Sequence, residues 1–234
     1  MRLLRHRRLV AATSGGGSAF SPASIAGLKL WLDASQITGL NDGDAVGTWA
    51  DLSGNGYDAT QATGSKKPTY QTNELNSRPV VSFDGVDDYM GLTSAPIAMT
   101  ANYTLFCVIR KPAGAAYVVH GGGGGWDLAW NVSGSNKKQF VGSAGIEDET
   151  GTSVKLTQTC VVFQPSTRIC KVDGVDVILT NTAFGGTNHR VGIGAFDGVL
   201  YGTQDIAELF YTTQAVNAGV IEAAQAYLMA KWGI

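Results

Sequence analysis

Charge is scarce in this sequence. Only 15% of its 234 residues are Asp, Glu, Lys or Arg, against an average of about 25%. Glu, Lys and Leu are too sparse, and Gly too frequent, for a coiled coil. No stretch reaches the ~18 apolar residues of a membrane-spanning helix, so no membrane partner is expected. The three cysteines, Cys107, Cys160 and Cys170, include no CxxC pair, which argues against a disulfide framework or a zinc site. Cys107 and Cys160 sit in apolar runs and read as small buried hydrophobes. A bridge between Cys160 and Cys170, which flank a strand connection, is left open. The three histidines, His6, His120 and His189, form no HExxH or HxH pair, so neither a His-based metal site nor a catalytic triad has support.

Glycine is abundant, at 31 residues, and 44% of the chain is hydrophobic. With a net charge of −2, that composition excludes disorder for the bulk of the chain. The length suits one sandwich or barrel domain. The charge is unevenly placed. Arg2, Arg5, Arg7 and Arg8 fall in residues 1–18, which hold no acid, and the remainder holds 13 basic against 19 acidic residues. An acidic body argues against nucleic-acid binding. The run Leu9-Val10-Ala11-Ala12 is too short for a secretory h-region of about 7–15 residues. The chain is therefore expected to be made in the cytoplasm and kept there, or released inside a particle.

Residues 1–24 read as a flexible basic arm and a Gly/Ser linker, and residues 25–234 as one domain. Short apolar runs then recur between Gly/Asn/Asp clusters, the rhythm of an all-β protein. Strands are predicted at 28–33, 79–83, 103–110, 115–120, 126–131, 138–142, 153–163, 168–173, 175–179, 190–195 and 205–211. Leu28, Leu30 and Leu32 are expected on one face. Leu105 to Ile109 are apolar on both faces, so 103–110 is expected to be a central strand covered on both sides. Asp173-Gly174 between β-branched runs predicts a two-residue hairpin. The spacing of Val216, Val220, Ala223, Ala224 and Tyr227 predicts an amphipathic helix over 214–231, capped by Thr212 or Thr213 and stopped at Gly233.

Carboxylates and aromatics supply the candidate chemistry. Asp51 to Asp58 resembles a calcium loop only superficially; it lacks the alternating acids and terminal Glu of an EF-hand, and the favoured reading is a tight turn. Asp84, Asp87 and Asp88 are the calcium candidates, with no other cofactor expected. Glu147 and Glu149 have a spacing that two hydrolytic carboxylates permit, but they lie in a Gly-bounded run that reads as a loop. Tyr57, Trp126, Trp130 and Tyr201 offer rings on which a sugar stacks, with core packing the favoured alternative. Trp31 and Trp49 read as core.

Three segments together carry a resemblance: Leu28-Lys-Leu-Trp-Leu-Asp33; Thr48-Trp-Ala-Asp-Leu-Ser-Gly-Asn-Gly-Tyr-Asp58; and Arg78-Pro-Val-Val-Ser-Phe-Asp-Gly-Val-Asp-Asp-Tyr89. With Asp205 to Tyr211 and the closing helix, the chain from about residue 25 onward resembles the concanavalin A-like, laminin-G-like jelly-roll superfamily. The resemblance implies an antiparallel two-sheet jelly-roll sandwich. The glucanases of that fold carry a Glu-x-Asp-x-x-Glu strand, which Glu147-Asp148-Glu149 does not match, so no enzyme is expected. With its Arg-rich tip and linker, the chain is similar to accessory proteins of tailed bacteriophages. The expected function is thus a non-enzymatic virion structural protein, of the capsid-decoration or head-fibre type. Arg2, Arg5, Arg7 and Arg8 would anchor it to the major capsid protein or another virion protein, and it would assemble as a homo-oligomer such as a trimer. The alternative is a lectin-like module binding a host-surface glycan.

Overall fold

The computed structural model describes residues 20–92, 103–110, 192–195 and 201–234 throughout, and elsewhere the backbone of strands alone. In chain order the strands are β1 (Leu28–Asp33), β2 (Thr48–Trp49), β3 (Ala59–Thr60), β4 (Thr69–Leu75), β5 (Arg78–Asp84), β6 (Met90–Leu92), β7 (Thr104–Arg110), β8 (Ala116–Gly121) and β9 (Asp127–Trp130). They continue with β10 (Lys138–Gly142), β11 (Gly145–Asp148), β12 (Thr159–Gln164), β13 (Ile169–Val172), β14 (Val175–Asp176), β15 (Val191–Ile193), β16 (Ala195–Phe196), β17 (Leu200–Tyr201) and β18 (Thr203–Thr212). One helix, α1 (Ala218–Trp232), follows.

Sixteen of these strands form two antiparallel sheets, as expected for the sandwich, and β16 and β17 pair as a separate two-stranded ribbon. The first runs β14-β13-β12-β7-β18-β5-β4, with β1 also on β18. The second runs β11-β10-β9-β8-β15-β6-β3-β2. Between the sheets lie Leu30, Leu32, Val81, Phe83, Leu105, Cys107, Ile109 and Leu209 from the first, and Trp49, Ala59, Met90 and Ile193 from the second. On the other side of the first sheet, Val80, Phe106, Val108 and Phe210 meet Ile221, Ala224, Leu228 and Trp232 of α1. Strand β7 therefore serves two cores, which is why its sequence is apolar without alternation. Each large side chain fully buried under α1 contributes roughly 1.5–3 kcal/mol.

A bulge between Leu28 and Leu30 corrects the expected single face for β1. The extra residue turns Leu28 toward the helix side while Leu30 and Leu32 enter the inter-sheet core. The helix also begins later than expected. Asn217 is its cap, its side chain accepting from the Val220 N–H at 3.1 Å. The Thr212 hydroxyl instead donates to the Ala26 carbonyl at 2.7 Å. Gly233 ends the helix in the left-handed region, at φ 69°, as expected of a C-terminal glycine. Val172 pairs with Val175, leaving Asp173-Gly174 as the two-residue connection. Cys170 pairs with Phe163, three residues along from Cys160. That register sets the two Cα atoms about 10 Å apart, beyond the ~7 Å reach of a disulfide, and removes the open bridge. At the end of the segment read above as arm and linker, two residues touch the body. Pro22 is buried, and the Phe20 ring lies 5.6 Å from that of Tyr227.

The helix is held by charge as well as by apolar contact. Glu208 on β18 is fully buried. It accepts the indole N–H of Trp31 at 2.8 Å, that of Trp232 at 2.8 Å, the Tyr227 hydroxyl at 3.0 Å and Lys231 Nζ at 2.8 Å. Lys231 also donates to Asp33 of β1. Burial, then the neighbouring Asp33, pushes the Glu208 carboxyl above its usual range, with Lys231 pulling the other way. This is a structural clasp: all its polar groups are spent on one another.

Candidate functional site

Three Asp-rich loops flank the first sheet, and two are consumed by the fold. Asp51 Oδ1 accepts from the Trp31 N–H at 3.0 Å and the Ser53 N–H at 2.9 Å. Its Oδ2 accepts from the Tyr57 N–H at 3.0 Å and the Ser53 hydroxyl at 2.7 Å. Asn55 Nδ2 donates to the Leu28 carbonyl at 3.1 Å, and the Ser53 hydroxyl to the Lys29 carbonyl at 2.9 Å. The loop thus satisfies the free edge of β1, which would otherwise present unpaired backbone groups. Asp42 does the same for β4, its Oδ1 accepting from the Thr72 N–H at 2.7 Å. The turn reading of 51–58 holds.

The third loop is different. Strand β5 ends at Asp84, which pairs with Thr203. Gly85 follows at φ 78°, where a Cβ would stand 2.3 Å from Thr203 Oγ1. Only glycine makes that approach without strain. Asp84 Oδ1 accepts from the Val86 N–H at 2.7 Å, and Asp88 Oδ2 from the Asp84 N–H at 3.0 Å. The loop therefore closes on itself, and carboxylate oxygens of Asp84, Asp87 and Asp88 lie within 4.8 Å of one another. Asp84 is exposed, Asp87 half-buried and Asp88 buried. Burial, reinforced by the charges of Asp84 and Asp87, pushes the Asp88 carboxyl up to about 6 against the pull of the Asp84 N–H. Among the described residues no other group of three or more His, Cys, Asp or Glu is gathered this closely. The donor set suits a hard cation such as Ca²⁺, which takes six to eight oxygens; water or ligand hydroxyls would complete it.

Rings stand beside the acids. Tyr89 follows Asp88, and its backbone is pinned on both sides: its N–H donates to the Lys66 carbonyl at 3.3 Å, and its carbonyl accepts from Gln61 Nε2 at 3.0 Å. Tyr201 precedes the Thr203 that pairs with Asp84, so the sheet register delivers it to the same corner. The two half-buried rings are 6.4 Å apart and tilted by 41°. Lys66 Nζ lies 5.8 Å from the Tyr89 ring centroid. Val86, at the loop tip, is 71% exposed. The corner thus joins apolar surface, two phenol rings, carboxylates and an ammonium group, the mixture that holds a polyhydroxylated ligand with two dissimilar faces.

Of the expected site residues, Asp84, Asp87, Asp88 and Tyr201 come together here. Tyr57 does not; it packs against the inter-sheet core. Trp130 ends β9 in the second sheet. Glu147 is not in a loop but in β11 at a sheet edge, paired with Phe140. Trp126, Glu149, Arg2, Arg5, Arg7 and Arg8 lie outside the described residues. Trp49 is core as expected, and Trp31 is half-buried on the Glu208 clasp. Sequence reasoning does not single out Tyr89, Lys66 or Val86 for this corner. The signal for Tyr89 is its place directly after the acid cluster.

No family model matches the chain, and no curated protein does. Solved structures do. The sialidase of Trypanosoma rangeli is similar at 17% identity and a TM-score of 0.57, over 89% of this chain and 34% of that one. Domain 4 of AbnA, a GH43 extracellular arabinanase from Geobacillus stearothermophilus, solved with arabinotriose, is similar at 14% identity and a TM-score of 0.58, over 84% of this chain and 98% of that one. The binding domain of botulinum neurotoxin DC, in complex with SialylT, is similar at 13% identity and a TM-score of 0.55, over 86% of this chain and 51% of that one. The chain therefore spans about a third of the sialidase and about half of the neurotoxin binding domain. At these identities the likeness concerns the fold, a β-sandwich shared with sialidases and carbohydrate-binding domains.

Proposed function

We propose that this sandwich is a carbohydrate-binding module that recognises its ligand at the Tyr89–Tyr201 corner without chemical turnover. The observation that carries this is the pair of half-buried phenol rings, Tyr89 next in the chain to the Asp84–Asp88 acid cluster and Tyr201 two residues from the Thr203 that pairs with Asp84. The sugar complexes among the fold neighbours support it. A pyranose face lies on one ring while its hydroxyls meet the carboxylates and Lys66. Asp84, Asp87 and Asp88 would hold any bound calcium. Glycan-array binding is expected, with Tyr89→Ala and Tyr201→Ala each weakening it about tenfold. Parallel arrays in calcium and in chelator show whether the cation takes part. Binding to no glycan in either condition would end this reading.

The virion role belongs to residues 1–19. The four arginines there, with no acid among them, favour an acidic docking surface such as a capsid protein offers. Deleting residues 2–18 is expected to abolish attachment to particles while leaving sugar binding intact. Full decoration by the truncated chain would remove the anchoring role.

A further inference from the structure

The Tyr89–Tyr201 corner carries an imbalance of charge that bears on which sugars it accepts. Asp84 is exposed and Asp87 half-buried, and both reach the solvent that a ligand would displace. Among the described residues Asp87 accepts no side-chain or backbone hydrogen bond and forms no ion pair. Val86, Tyr89, Tyr201 and Thr203 add no charge at neutral pH. Among the described residues the cation over these rings is Lys66, 5.8 Å from the Tyr89 centroid. Among the described residues the corner thus holds three carboxylates and one ammonium group. Tyr89 follows Asp88 in the chain, and Tyr201 lies two residues from the Thr203 that pairs with Asp84, so a ligand on either ring meets the field of the acid cluster, which ordinary buffers screen over ~8–10 Å.

Building on the carbohydrate reading, we propose that the corner selects its ligand by charge. It accepts neutral and amine-bearing oligosaccharides and rejects carboxylate-bearing ones such as sialylated glycans, with Asp84 and Asp87 as the specificity-determining residues. Two like charges at this range weaken binding by about tenfold, and an opposite charge strengthens it by a similar factor. The neurotoxin domain solved with SialylT shares the fold; selectivity on this chain follows its own loop instead.

The test uses the full chain, in chelator, on a printed array where each oligosaccharide core is present neutral, amine-bearing and sialylated. For each bound core the amine form is expected to bind most tightly, and the sialylated form about tenfold more weakly than the neutral one. Asp84→Asn with Asp87→Asn should narrow both gaps to about twofold; the amide oxygen introduced in place of the Asp84 carboxylate still accepts from the Val86 N–H. Raising salt on the wild type should narrow the same gaps, a measurement independent of the variant's folding. Sialylated forms bound as tightly as neutral ones overturn the charge rule and leave the carbohydrate reading standing, as do gaps indifferent to both salt and substitution. Silence across the whole array removes both.

Discussion

The loops at 51–58 and 84–88 are built from nearly the same residues, Asp and Gly beside an aromatic, yet they are put to different uses. In the first, Asp51 takes four donors, and one of them, the Trp31 N–H, belongs to a strand 20 residues away. Ser53 and Asn55 reach the same strand. In the second, the donors to Asp84 and Asp88 come from the loop itself. A carboxylate that satisfies a distant sheet edge is part of the scaffold. Carboxylates that only shape their own turn leave Asp84 exposed and Asp87 half-buried, while Asp88 is buried among them. Residue type therefore does not separate a structural acidic turn from a recognition loop; what separates them is which backbone lies within reach.

The sharpest break of this comparison is Asp51→Ala against Asp87→Ala. The first leaves the half-buried Trp31 edge donor and three loop donors without their acceptor and is expected to lower the unfolding free energy in urea by about 2 kcal/mol, the second by no more than about 0.5. Equal losses would erase the distinction. Next come the two left-handed glycines. Gly85→Ala sets a methyl group 2.3 Å from Thr203 Oγ1 and 2.9 Å from its backbone nitrogen, whereas Gly54, at φ 84°, has open space around it. Thermal melts should show a loss of about 2–3 kcal/mol for Gly85→Ala and about 1 for Gly54→Ala.

The smaller effect is a pH dependence. Asp88 titrates in the folded protein at about 6, above its ordinary 3.8. Protonation therefore favours the fold: this contribution is complete below the unfolded value and is lost as pH rises through about 6. Asp88→Asn, which keeps an acceptor for the Asp84 N–H, should gain stability relative to wild type between pH 4 and pH 7. A difference that stays flat, or runs the other way, would show that Asp88 is solvated like an ordinary surface acid.

Much of the sandwich was legible because burial writes directly into β1, β5, β7 and β18, whose apolar residues follow the sheet faces they cover. Strand β4, Thr-Tyr-Gln-Thr-Asn-Glu-Leu, was not, since its polar edge is satisfied by Asp42 and by backbone bonds to Gly43 and Asp44. Strands β2 and β3, of two residues each, are too short to carry a period. The helix start was misread because Thr212 looks like a cap, while its hydroxyl belongs to Ala26. At the site, the acids and Tyr201 were legible separately. Their meeting depends on the β5–β18 register, across 119 residues between Asp84 and Thr203, and local sequence says nothing about that pairing. Lys66 and Tyr89 are joined by the Tyr89 N–H to the Lys66 carbonyl, a contact across 23 residues that no local pattern announces.

Glu208 gathers Trp31 from near the front of the chain, 177 residues away, and Lys231 and Trp232 from near its end. During synthesis, β1 must therefore wait without its strand partner until β18 and α1 have left the ribosome, an interval of many seconds at ~5–20 residues per second. A nascent chain stalled anywhere before Thr203 would hold an apolar, unprotected edge, the kind of species that chaperones engage.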